Sequence, residues 1–318
     1  MTALDIARRI VDGYRLQRDE ADFLLTAPLD EIQSGAALIQ KNFFGNRVDL
    51  CTIVNGKSGR CGEDCRYCAQ SARHRTGVDE YNFLPTEEIL SVALADERAG
   101  ANRFSIVTSG RALVGENFER AIETYKLLRD RLTIKLCASH GILSAEQLRR
   151  LKAAGVTRYH HNLETSRRFF PNVCTTHTFD ERIATIKAAQ TVGLDVCSGG
   201  IFGMGETWQD RIDLAFELAA LGIKSIPINI LTAIKGTAFE NLPPLELEDI
   251  LRTIVLFRYV NPTAHVRLAA GRKFFPDAGA SALLHGASAA ITGNMLTVTS
   301  RNIRDDMKLL RELGLTNR

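Results

Sequence analysis

The sequence has little that would mark a specialised environment. It carries one tryptophan and no low-complexity tract in 318 residues. No apolar run approaches the roughly 20 residues that a membrane-spanning helix needs, and no charged-then-apolar leader opens the sequence. Neither sign of charge dominates. With 40 basic against 37 acidic residues the net charge is +3, too even to argue for nucleic acid or a membrane surface. A paired set of cysteines is also missing. Seven are present, at positions 51, 61, 65, 68, 137, 174 and 197. An odd count with one tight cluster argues against a secreted disulfide framework and for a reducing interior, so a cytoplasmic location is expected. No GxGxxG follows the first strand pattern, so the usual dinucleotide fold lacks its fingerprint. Hydrophobic residues make up 45% of the chain, ordinary for a globular protein with a real core. The length fits two average domains or one large α/β barrel.

The chain is organised around Cys61-Gly-Glu-Asp-Cys65-Arg-Tyr-Cys68. Three thiols at C-x3-C-x2-C spacing do not converge on one ordinary helix, but a loop wrapped around a metal centre brings them together. Zinc sites usually take a fourth Cys or His, and four-iron clusters usually take four cysteines. Three local thiols therefore point to a cluster with one iron left for something other than protein, and Tyr67 beside the last thiol fits that picture. A zinc loop with a distant fourth ligand is the plainer alternative.

Residues 1–46 read as a helical extension. Thr2 caps a helix to about Asp12, and a second helix spans about Leu29–Asn42. From Val48 onward strands and helices alternate. Strands are expected at 48–54, 103–109, 132–138, 158–163, 194–198, 225–230, 264–269 and 289–292, with helices between them and a last helix over 304–313. Ser144-Ala-Glu-Gln147 is a capping box. Short connections suit parallel strands with right-handed crossovers. The chemistry-bearing residues recur at expected strand ends: the thiol loop, Cys137, Asn162, Cys197, Asn229 and Arg267. Such convergence needs a barrel mouth. The expected fold is thus a (β/α)8 TIM-type barrel over 47–318, one domain with a C-terminal helix.

Four cysteines lie outside the loop: Cys51, Cys137, Cys174 and Cys197. Any one alone reads as a small buried apolar side chain. Four that a barrel places in one mouth make a full ligand set for a second iron–sulfur cluster. In Cys197-Ser-Gly-Gly-Ile-Phe-Gly-Met-Gly-Glu-Thr207, glycines let the backbone approach a ligand closely and Thr207 caps a helix with free amides. A tight strand-to-helix turn without a ligand is the alternative. Neighbouring His160 and His161 face opposite sides of a strand, which argues against a metal pair. Asn162 and Glu164 share a face and suit a ribose or an amide. Asn229 is a buried amide that needs a partner. Arg267 is a charge within a strand, paired with an anion or facing solvent.

The thiol spacing with its aromatic resembles the cluster loop of radical S-adenosylmethionine (SAM) enzymes, in which SAM chelates the open iron. Gly199, Ile201, Gly203 and Glu206 match that superfamily's G-x-I-x-G-x-x-E pattern beside the SAM adenine. The loop with its following Ala-Gln-Ser-Ala, the CSGGIFGMGET run, Ser225-Ile-Pro-Ile-Asn229, Lys235-Gly-Thr237 and VRLAAGR together resemble the biotin synthase family over nearly the whole chain. The resemblance implies conversion of dethiobiotin to biotin, with deoxyadenosyl radicals removing hydrogen and an auxiliary iron–sulfur cluster supplying sulfur. It implies that Cys61, Cys65 and Cys68 hold the SAM-binding 4Fe-4S cluster, and that Asn162, Glu164 and Arg182 touch SAM. Asn162 and Asn229 would bind the ureido ring, and Thr297 the substrate carboxylate. A homodimer and a low-potential donor of flavodoxin or ferredoxin type are implied as well. The family often has Asp at the Glu164 position. Its familiar two-iron auxiliary cluster uses three Cys and an Arg, and Cys137, Cys197 and Arg267 match three of these. The fourth position is Ser105 here. We therefore expect Cys51, Cys137, Cys174 and Cys197 to hold a four-iron-type auxiliary cluster, with Arg267 nearby. Rival readings are a methylornithine-type mutase or hydrogenase-maturation protein of the same superfamily, an electron carrier, and a zinc-binding structural protein.

Overall fold

Apolar strands separated by amphipathic helices close here into a parallel barrel. The computed structural model describes residues 2–293 and 301–317. The strands are β1 (Asp49–Lys57), β2 (Arg103–Thr108), β3 (Lys135–Ser139), β4 (Val156–His160), β5 (Asp195–Cys197), β6 (Gly200–Phe202), β7 (Ser225–Ile230), β8 (His265–Leu268) and β9 (Ala289–Ile291). Their order is β5-β4-β3-β2-β1-β9-β8-β7-β6, and a further β5–β7 pairing closes the ring. All pairings between these strands are parallel.

β5 and β6 are two halves of one barrel stave, where the sequence pattern shows a single strand at 194–198. β5 pairs with β4, and β6 pairs with β7. The switch falls at Gly199, where an added Cβ would sit 2.1 Å from the Pro227 carbonyl oxygen. Only glycine allows so close a crossing. Closure of the ring between β5 and β7 rests on the single register pair Cys197–Ser225.

The helices are α1 (Ala3–Val11), α2 (Phe23–Thr26), α3 (Leu29–Phe44), α4 (Thr86–Ala99), α5 (Gly115–Arg131), α6 (Ala145–Ala153), α7 (Phe179–Thr191), α8 (Trp208–Ala220), α9 (Leu247–Val260), α10 (Ala280–Leu284) and α11 (Ile303–Glu312). Several begin on capping boxes, at Thr2/Asp5, Ser144/Gln147, Thr178/Glu181 and Thr207/Asp210. Each such box satisfies amides that a helix start leaves without partners. In α9 every residue from Ile250 to Val260 is buried, because the barrel covers one side and the N-terminal helices the other. An added Cβ on Gly35 would meet the Tyr259 hydroxyl at 1.8 Å, so a bare backbone is what lets α3 seat on α9. Arg252 Nη1 donates to Leu24 O (3.0 Å) and Ala27 O (2.8 Å), which ties the short α2 to the same face.

Candidate active site

The loop after β1 carries Cys61, Cys65 and Cys68 over the C-terminal end of the barrel. Its path is fixed by its own backbone: Cys61 N donates to Gln70 O (3.1 Å), Ala72 N to Cys61 O (2.8 Å) and Cys68 N to Cys65 O (2.9 Å). Gly236 holds it from the far side, since a Cβ there would lie 2.1 Å from Arg75 O. A cavity of about 390 Å³ runs from these three thiols into the barrel and reaches Cys51, Cys137, Cys197 and Arg267.

One layer of polar residues crosses the cavity below the loop. The Tyr67 hydroxyl donates to Glu164 Oε1 (2.9 Å). Arg182 Nη1 donates to Asn162 O (2.7 Å) and approaches Glu164 Oε1 at 3.5 Å. Glu164 sits at φ 70°, an uncommon conformation for a residue with a side chain. It is held there because its N–H donates to Gly199 O (3.1 Å) and its carbonyl accepts from Ile201 N (2.8 Å). Asn162 accepts from Gly199 N (3.0 Å) and donates to Glu164 Oε2 (3.3 Å). Asn229 donates to Gly200 O (3.0 Å) and accepts from Ala270 N (3.2 Å). A primary amide has two donors and two acceptor lone pairs, so both asparagines keep capacity toward the cavity they line.

Ile201 lines the cavity, and Glu206 does not. The Glu206 carboxylate turns inward, accepts from Gly203 N (2.9 Å) and Met204 N (2.8 Å), and pairs with buried Arg211 (3.0 Å). It braces the glycine turn at Gly203, where the expectation was cofactor contact. Thr297 lies outside the described residues.

A second group of thiols sits deeper than strand-end placement implies. Cys51 is near the start of β1, Cys137 is central in β3, and Arg267 is central in β8; only Cys197 ends its strand. Cys51 and Cys137 share a hydrogen bond that pushes the first thiol up and the second down. Arg158 and Arg103 reinforce the fall of Cys137 against burial. Burial opposes ionisation of Cys197, yet the hydrogen bond and charge of His160, with Arg267 and Arg158, bring it down to about 7.

Asp49 joins the arginines below the thiols, binding Arg267 directly and Arg103 Nε at 3.1 Å. Three buried guanidinium groups thus face one carboxylate. Arg103 Nη1 and Arg158 Nε are buried with no hydrogen-bond partner among the described residues. Buried guanidinium N–H groups left without acceptors fit a site built for an anionic group such as a thiolate-bound iron–sulfur cluster. Removing one partner of a buried ion pair costs about 3–5 kcal/mol. Asp49→Ala is therefore expected to lower the unfolding free energy of the cluster-free chain by about that amount, and by less once the anionic cluster is loaded. Urea midpoints of the two forms check this, and an equal loss in both would count against an anion above the arginines.

Cys174 is not part of that group. Its Sγ lies 3.1 Å from Asp64 Oδ1, 3.3 Å from His177 Nδ1 and 3.4 Å from Thr176 Oγ1, and within 4.8 Å of Cys65 Sγ. The segment before α7 runs across the barrel mouth to the thiol loop, with Arg66 N donating to Val173 O (2.9 Å) and Thr175 N to Asp64 Oδ1 (2.9 Å). Six residues of strand, roughly 20 Å, separate Cys51 from the end of β1 where that loop begins. Cys174 thus stands apart from Cys51, Cys137 and Cys197, with which it was expected to form one four-thiol set, while Ser105 and Arg267 line the same cavity as those three. A hydrogen bond from Cys65, helped by His177 and Thr176 against partial burial, brings the Cys174 thiol down to about 4.

Residues 57–218 match the Radical SAM superfamily, and residues 227–316 match the Biotin and Thiamin Synthesis associated domain. Curated relatives named biotin synthase are 53% identical over 312 residues in Clostridium beijerinckii (98% of this chain, 99% of the relative) and 54% over 312 in Clostridium perfringens (98% of each). One from Akkermansia muciniphila is 49% identical over 306 residues (96% of this chain, 95% of the relative). Among solved structures, methylornithine synthase superposes with a TM-score of 0.86 at 19% identity (98% of this chain, 97% of that one). The [FeFe]-hydrogenase maturase HydG reaches 0.84 at 18% (98% and 74%). At that identity the two structural neighbours establish the barrel fold alone.

Proposed function

The chain belongs to the biotin synthase family, and from that premise we propose how its own residues divide the conversion of dethiobiotin to biotin. The observation that carries the reading is one continuous cavity with a three-thiol loop at its mouth, an Asn–Glu–Arg layer in its middle and three thiols among arginines at its base. When bound, the SAM-binding 4Fe-4S cluster with SAM supplies hydrogen-removing radicals, and the auxiliary iron–sulfur cluster supplies sulfur. Cys61, Cys65 and Cys68 hold the first cluster. Arg182 and Glu164 orient SAM, the arginine by its charge toward a carboxylate and the glutamate toward a ribose. The spare amide capacity of Asn162 and Asn229 receives the ureido ring, midway between the two groups of thiols.

Cys51, Cys137 and Cys197 hold the auxiliary cluster, with Arg267 beside them. The two extra thiols that pointed to a four-iron type are reduced to one, Cys51, which stands one strand over from Ser105. Iron counting with Mössbauer spectroscopy on reconstituted, iron-57-labelled protein decides the type: about eight irons per chain for two four-iron clusters, about six for four plus two. Adding SAM and dethiobiotin to the same sample tests the function. Biotin formation with loss of the auxiliary signal is expected; SAM cleavage without biotin would return the chain to the wider superfamily. A low-potential electron donor of flavodoxin or ferredoxin type and a homodimer belong to this reading. All seven cysteines are free, which supports a reducing compartment such as the cytoplasm. No helix among the described residues is long and apolar enough to cross a membrane.

A further inference from the structure

Cys174 has no part in the reaction as derived above, and neither has the ring of His177. Both are buried, with Cys65 beside them. The ligand atoms of Cys65, Cys174 and His177 lie within 4.8 Å of one another. That spacing suits a single ion. With metal–sulfur bonds of about 2.3 Å and metal–nitrogen bonds of about 2.0–2.1 Å, tetrahedral geometry puts two sulfurs about 3.8 Å apart and a sulfur and a nitrogen about 3.5 Å apart. Cys174 Sγ and His177 Nδ1 already stand at 3.3 Å. A four-iron cluster instead gives each of its thiols a separate iron, so it has no use for a second thiol pressed against Cys65.

We propose that the chain without its clusters binds one divalent transition-metal ion, zinc or ferrous iron in type, between Cys65, Cys174, His177 and the carboxylate of Glu63. Two sulfurs, one imidazole nitrogen and one carboxylate oxygen form a tetrahedral donor set for such ions. Glu63 Oε2 stands beside the three-residue group rather than within it: it contacts His177 Nδ1 and accepts from Thr176 Oγ1 at 2.8 Å, and it would turn from the His177 ring to the ion to complete the set.

Binding rearranges protons in a defined way. Arg182 Nε donates to His177 Nε2 (3.0 Å), so in the ion-free chain Nδ1 carries the ring proton toward Glu63. An ion at Nδ1 sends that proton to Nε2 and any proton still on the two sulfurs to solvent. Arg182 Nε then loses its acceptor, while Nη1 keeps Asn162 O and Glu164. Because Cys65 serves both centres, the ion and the SAM-binding cluster exclude each other. That exclusion rests on the assignment of Cys65 to the cluster; binding of the ion does not.

Cobalt titration of the full-length Cys61→Ala/Cys68→Ala chain under anaerobic conditions tests the site without the cluster. One Co²⁺ per chain is expected, with thiolate-to-metal absorption in the near ultraviolet and tetrahedral bands in the visible. Adding Cys174→Ser, which keeps a hydrogen-bonding group toward Asp64, or His177→Ala is expected to weaken binding at least tenfold. Circular dichroism confirms that each variant is folded. No tight cobalt in the double variant, or unchanged bands with Cys174→Ser, overturns the proposal. In the wild-type sequence, one equivalent of zinc is expected to slow iron–sulfide reconstitution of the loop cluster, and Cys174→Ser to lift that block. Equal slowing in both overturns the exclusion. None of these readouts involves biotin, so failure of the assigned reaction would leave them standing.

Discussion

Cys61→Ala is expected to abolish SAM cleavage, so that reduced and reconstituted protein releases no 5′-deoxyadenosine above background. Cys61, Cys65 and Cys68 would hold the cluster that would supply the bond-breaking electron, and the rest of the chain would supply binding and orientation. Loss of one of three local thiols therefore removes the reaction rather than slowing it. Among the described residues, Cys65, Cys174 and His177 form the one group of three metal-ligating side chains held within 4.8 Å, and Cys61 is outside it. Cys68→Ala is expected to match. Cys65→Ala is the less clean experiment, because Cys174 stands beside the gap it leaves. Chromatography of the quenched reaction, with iron content measured on the same sample, checks the result. A Cys61→Ala protein that keeps both its irons and its deoxyadenosine would remove Cys61 from the ligand set.

Cys137→Ala is expected to separate two activities that the wild-type chain couples. The Asn162–Glu164–Arg182 layer lies between the thiol groups and is untouched, so deoxyadenosine still forms. The sulfur source is gone, so biotin does not. Cys137 lies opposite both Ser105 on β2 and Arg158 on β4, in the middle of the cationic cradle. Cys51→Ala is expected to behave in the same way, whereas Ser105→Ala keeps most of the biotin yield. The comparison of Cys51 with Ser105 is the sharper half of this test. Loss of biotin in Ser105→Ala with retention in Cys51→Ala would exchange their assigned roles.

The barrel was legible in the sequence because its signals are local and periodic. Eight apolar stretches separated by capped helices place the eight staves, and Ser144 and Thr207 start their helices as expected. The thiol loop was legible from spacing alone. Cys174 was misplaced because the stretch between β4 and α7 has no period, and only tertiary contacts such as Asp64 with the Thr175 and Thr176 amides send it to the loop. The depth of Cys137 and Arg267 was misjudged although the C-terminal ends of their strands were read to within one residue of Ser139 and Leu268: both residues lie short of those ends, and a strand pattern does not show how far down the barrel a side chain sits. Asp49, Arg103 and Arg158 were missed altogether. Their signal was present: charged residues within apolar strand patterns, of the same kind that singled out Arg267. The role of Glu206 could not be read from its motif, since a carboxylate that braces backbone amides and one that touches a cofactor leave the same letter in the sequence.

The vertical order of the site imposes a traffic rule. Everything reactive hangs along one shaft: loop thiols at the entrance, the amide layer midway, and the inner thiols at the base above the Asp49–Arg103–Arg267 ion cluster. An inner store of sulfur that is reached past the positions of SAM and dethiobiotin would be restocked while both are away. Refilling and turnover would then be successive shifts along one route, with the dwell time of the small molecules setting how soon the next shift starts.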